Sequence, residues 1–145
     1  MKVDPRGLRF AAALSALVLV VVLIISSAWL LAAQAAVFVV GAVLGLQYAS
    51  YGLVYCALVR PRLGPSRELE DAAPPRFAQG VGLVFSVAGV IGYVTGLIPL
   101  GIAAIAFALA AAFLNAAFGL CFGCEMYVLI RRVWLARDGA GAARA

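Results

Sequence analysis

Four long apolar runs, parted by short turn-forming or polar segments, account for most of the chain. The first, Leu8–Ile25, follows an irregular basic start with Lys2, Arg6 and Arg9 against Asp4, broken by Pro5 and Gly7. At ~1.5 Å per residue, about 18 apolar residues come close to the ~30 Å of a bilayer core. A basic start before an apolar run, with small residues Ser26 and Ala28 after it, also fits a cleaved signal peptide. The run is long for that, and a spanning helix is the preferred reading. Ser26-Ser27 is a tight, uncharged turn, and Trp29 stands where interfacial aromatics collect. The second run, 29–47, holds Gly41-x-x-x-Gly45, a small face for close helix contact.

Tyr48, Tyr51 and Tyr55 then recur at helical spacing and read as an aromatic belt. One straight helix from Trp29 to Arg60 would reach about 48 Å, so a bend near Gly52 or an end in the headgroup zone is expected. Residues 60–77 form the one substantial polar loop, where Pro61, Pro65, Pro74 and Pro75 exclude a long helix. The third run, 79–97, is thinned by Gly80, Gly82, Gly89, Gly92 and Gly96. These faces suit contacts within one chain or between chains. Ile98-Pro99-Leu100-Gly101 reads as the second tight turn. The fourth run, 102–130, is long enough to tilt or protrude. From Asp138 the Gly/Ala-rich tail, 138–145, is expected to be disordered.

Composition turns this pattern into a class. The chain is 66% hydrophobic and 12% charged, with mean hydropathy +1.11, against roughly half and a quarter in soluble domains. An all-α polytopic membrane protein follows, with one four-helix domain over 1–137 in the lipid bilayer. The net charge of +5 does not indicate nucleic acid, because the basic residues flank apolar runs instead of lining a polar face. There is no histidine, which removes the commonest metal ligand and general base. Apart from Glu125, the charges lie at the N-terminus, in loop 60–77 and at the C-terminal end. The positive-inside rule makes that side cytoplasmic, with both termini there, in a cell inner membrane.

A faint repeat divides the chain. Pro5-Arg6 before Phe10-Ala11 resembles Pro75-Arg76-Phe77-Ala78, and 45–50 resembles 119–124. Two pseudo-repeated hairpins follow, in which Gln47 and Ser50 hold the places of Cys121 and Cys124.

The chemistry concentrates in Asn115–Arg132, which sets Cys121-x-x-Cys124 and Glu125 in an apolar run. On a continuous helix the two thiols lie about 60° apart, and Asn115, Phe118, both thiols and Glu125 would share one inward face. Such a helix offers no free amide, and a neighbouring carboxylate opposes a thiolate, so the pair would be a poor nucleophile unless Gly119 and Gly123 open the chain. A reducing cytoplasm also disfavours a standing disulfide. Cys121, Cys124 and Cys56 are candidate ligands for zinc or copper(I); packing thiols are the plainer alternative.

Residues 3–10, 59–65, 73–79 and Phe118-Gly-Leu-Cys-Phe-Gly-Cys-Glu-Met-Tyr127 resemble the bacterial membrane family catalogued as domain of unknown function 4395. That resemblance covers roughly 3–132. It implies a small inner-membrane protein with the Cys121/Cys124 pattern, and members are often encoded near thioredoxin-like or sulfurtransferase proteins. It implies no settled activity or cofactor. Three functions stay open: a redox or sulfur relay through Cys121, Cys124 and Glu125 with a thioredoxin-like or rhodanese-like partner; a scaffold with packing cysteines; or a small transporter or metal site using Glu125.

Overall fold

The computed structural model describes residues 2–45, 48–64 and 69–142. It is helical throughout except for one two-stranded pairing. Asp4 starts α1 (Pro5–Ile25) by accepting the Arg6 amide on its carboxylate at 2.9 Å. That is the usual role of aspartate at an N-cap, with proline in the first turn. The turn to α2 (Ala28–Val43) falls at Ser26-Ser27, as the sequence predicts. Ser26 takes φ 50° and the Ser27 hydroxyl accepts the Leu30 amide. Helix α2 then ends at Val43, with Gly45 at φ +106° just beyond it, so the chain breaks upstream of the bend expected near Gly52. Short helices α3 (Ser50–Val54) and α4 (Arg60–Leu63) follow, joined by a π-helical turn over Tyr55–Val59.

The second half repeats that order. Helix α5 (Ala73–Val94) starts six residues earlier than expected, because Pro74 and Pro75 occupy its first turn, where a missing amide costs nothing. The same preference moves the next turn upstream of Pro99, so α6 is Ile98–Phe118. Gly119, at φ +70°, ends α6, and α7 runs over Phe122–Ala142. The expected continuous fourth span is therefore two helices. The expected disordered tail is helical as far as Ala142.

The halves exchange partners. Helix α2 packs chiefly on α5, and α1 on α6. Leu19, Val22, Leu31 and Ile105 form the core where they meet. Backbones come very close at Gly92, where an added Cβ would lie 2.5 Å from the Gly101 amide nitrogen. Strand β1 (Lys2–Val3) pairs antiparallel with β2 (Glu70–Asp71). The N-terminal segment and the 69–71 part of the polar loop thus sit together at one end.

Two of the three tyrosines expected in a belt face inward. Tyr51 donates to Gln34, itself 1% exposed and bonded to Ser15, and Tyr55 donates to Asp4 at 2.9 Å. Ser50 is exposed and Gln47 lies outside the described residues.

Helices α1, α5 and α6 are long and apolar enough to cross a membrane. At 16 residues, α2 spans about 24 Å, short of the ~30 Å core. Large apolar side chains face outward on all of these helices, Ile24 at 76% exposed and Trp29 at 86% among them. A soluble monomer rarely shows so large an apolar surface, and such a surface is compatible with a lipid surround.

Candidate functional site

The site forms where α6 stops. Its last turn closes with the Gly119 amide on the Asn115 carbonyl and the Leu120 amide on the Leu114 carbonyl, a glycine C-cap. Arg9 of α1 reaches the remaining carbonyls. Its guanidinium donates to Ala116 through Nε at 3.3 Å and Nη2 at 3.2 Å, and to Ala117 through Nη2 at 3.1 Å. The planar fork of arginine suits two adjacent carbonyls, and a cation is favoured at a helix C-terminus.

The break moves the cysteines to a helix start. The Glu125 amide donates to the Cys121 carbonyl at 3.0 Å, the first hydrogen bond of α7. Cys121 is therefore the N-cap and Cys124 the third helical residue. The pair is closed as a disulfide, with Cα atoms 5.1 Å apart. Gly123 lets this turn press on α5, since a Cβ there would meet Ala78 Cα at 2.5 Å. Free amides and the positive end of a helix dipole, together with an arginine nearby, are the surroundings that stabilise a thiolate. The objection raised by a continuous helix does not apply to this chain.

Two cavities meet at Cys121. One, about 260 Å³, is the more polar of the two and is lined by Arg9, Glu70, Asn115, Cys121 and Cys124 among others. The other, about 430 Å³, is largely apolar and runs between α5 and α6 toward Phe85 and Phe107. Cys121, Asn115 and Gln79 line both, whereas Cys124 lines only the polar one.

Of the expected inward face, Asn115, Cys121 and Cys124 come together. Glu125 and Phe118 do not: both are exposed and neither lines either cavity. The chain breaks at Gly119, so single-helix spacing no longer relates Asn115 and Phe118 of α6 to Glu125 of α7. The acid of the polar cavity is instead Glu70, from β2. Cys56 is exposed and apart from the pair; among the described residues no three histidines, cysteines or acids gather as metal ligands. Sequence reasoning treated Arg9 only as a flanking charge. Its signal was Arg9-Phe10-Ala11, repeated as Arg76-Phe77-Ala78.

That repeat is carried through in three dimensions. Arg76 donates to the Ala42 carbonyl at 3.0 Å and to Val43, at the end of α2 just before Gly45. Phe10 packs on Tyr55 and Phe77 on Tyr127, each pair with ring centroids 5.8 Å apart. Arg9 is thus the counterpart of Arg76, and the sequence pairing of Arg6 with Arg76 is corrected.

The pattern of the family described as Domain of unknown function (DUF4395) matches residues 3–132. No curated protein and no solved structure matches the chain.

Proposed function

This chain belongs to the family of domain of unknown function DUF4395, and we propose that it is a membrane-held dithiol exchanging electrons with a cytoplasmic thiol protein. The observation that carries the reading is the helix break at Gly119, which sets Cys121 and Cys124 in the first turn of α7 beside Arg9. In this reading α1, α2, α5 and α6 are four spans of one domain over 1–137 in an inner membrane. They form two duplicated hairpins related by an axis along the membrane normal. Local bilayer thinning accommodates the short α2. The Lys2–Val3/Glu70–Asp71 end faces the cytoplasm with both termini, as the basic residues clustered there favour. The thiols then sit at the inner boundary of the lipid, not within it.

The exchange rests on which cavities each cysteine lines. A thiolate of a thioredoxin-like or rhodanese-like partner, docked over the 60–77 loop, attacks Cys124 from the polar cavity. The Cys121–Cys124 bond breaks and its electron pair leaves on Cys121, where α7 amides and Arg9 hold the charge. A second partner thiol, losing its proton to solvent, displaces Cys124. The partner leaves as a disulfide and both cysteines are reduced.

Thiol trapping on native membranes tests this. Cys121 and Cys124 should switch together between alkylatable and protected as dithiothreitol or diamide is added. If neither thiol ever changes state, the cysteines are packing groups and the protein is a scaffold.

A further inference from the structure

Reduction of the pair by a cytoplasmic partner leaves two electrons that must go elsewhere before the next turnover. We propose that the apolar cavity between α5 and α6 binds a lipid-soluble quinone, which takes them. This rests on the dithiol reading above and names its second substrate.

Four features of the cavity point to that occupant. Its volume, about 430 Å³, lies in the usual range of small-molecule sites, ~300–1,000 Å³. Its walls suit a flat ring: Phe85 and Phe107 stand stacked, centroids 6.1 Å apart and 29° from parallel. Phe107, midway along α6, is 66% exposed, so the cavity reaches the outer apolar surface where a molecule dissolved in hydrocarbon would enter. Cys121, Gln79 and Asn115 also line it, and a side-chain amide is a group that can donate to a quinone carbonyl. An acyl chain would fill the apolar part, but it uses neither the amides nor the thiol and accepts no electrons.

The chemistry balances. The Cys121 thiolate adds to a ring carbon of the quinone. The Cys124 thiolate then attacks Cys121 sulfur, the carbon–sulfur bond breaks, and its electron pair stays with the ring. The two thiols lose two protons and two electrons in total. The quinone gains the same and leaves as a hydroquinone, and the disulfide is restored. Arg9, beside the cysteines at the polar cavity, stabilises the thiolate that starts the sequence.

The test uses the full chain, reduced with dithiothreitol, desalted, and held without oxygen in phospholipid nanodiscs. Decyl-ubiquinone is the probe. Two thiols should disappear for each decyl-ubiquinol formed. Ala111→Phe, which fills the cavity, should slow this at least tenfold, and Phe85→Leu should raise the half-saturating quinone concentration severalfold. The proposal is overturned if decyl-ubiquinone leaves the thiols reduced while diamide closes the pair; the dithiol reading would then survive alone. It is also overturned if both variants oxidise at the wild-type rate, because the quinone would be reacting elsewhere. Thiols that neither diamide nor quinone can close would overturn both readings.

Discussion

Arg9 and Arg76 each leave the helix that carries them and bind carbonyls at the end of a helix in the other half. Only Arg9 also borders the cysteines. Removing its charge destabilises a thiolate more than a thiol, so the pH at which the reduced pair becomes reactive must rise. In Arg9→Gln the midpoint of the alkylation rate against pH should move up. Arg76→Gln, whose guanidinium is bonded to the end of α2 and lines neither cavity, should leave the midpoint in place. Monobromobimane kinetics on the reduced protein measures both. Equal midpoints in wild type and Arg9→Gln would remove Arg9 from the site. The cysteine pair itself was legible from the sequence, since its spacing alone puts the sulfurs within reach. The role of Arg9 was not, because a guanidinium more than a hundred residues from its carbonyls has no local signature. Glu125 was misplaced for a related reason: its expected direction assumed a helix that the chain does not keep.

At the scale of the element, Gly45 and Gly119, two of the four described glycines with positive φ, break the chain after α2 and α6. A side chain at Gly119 would cost about 1–2 kcal/mol in backbone strain. Gly119→Ala should therefore lower stability by that amount in a thermal melt in detergent. If it instead lets α6 run on into α7, the cysteines lose their free amides and the alkylation midpoint rises. Gly123 depends on space, not on its dihedral. Gly123→Val drives a side chain into Ala78 and should cost about 1–3 kcal/mol, loosening α7 from α5 and speeding alkylation of the reduced pair. An unchanged melting temperature would show that this contact does not hold α7. The apolar runs announced the long helices well, because a hydrophobic stretch of spanning length has few other uses. Their ends were less legible. Gly45 and Gly119 sit among residues as apolar as those before them, and hydropathy does not register a change of backbone hand. Proline shifted the starts of α5 and α6 for an equally local reason.

The whole molecule is an exchange between halves, with α1 on α6 and α2 on α5. Two predictions belong at this scale. A chain cut between Gly64 and Leu69 should reassemble when its pieces are made together, and a tag on one piece should retain the other through detergent purification. Failure to copurify would mean that the cross-half contacts do not hold without the link. For orientation, Cys56 in a Cys121→Ser, Cys124→Ser background should react with a membrane-impermeant maleimide only in inverted vesicles. A cysteine introduced at Ser26, with Cys56 also replaced, should react only in right-side-out cells. The opposite pattern would invert the proposed topology. The clasp made by Arg9 also has a consequence in time. Synthesis proceeds at ~5–20 residues per second, so the carbonyls of Ala116 and Ala117 leave the ribosome many seconds after Arg9 does. The first hairpin must wait with its cation unmatched, and a nascent chain truncated before Gly119 has no means of assembling the thiol end.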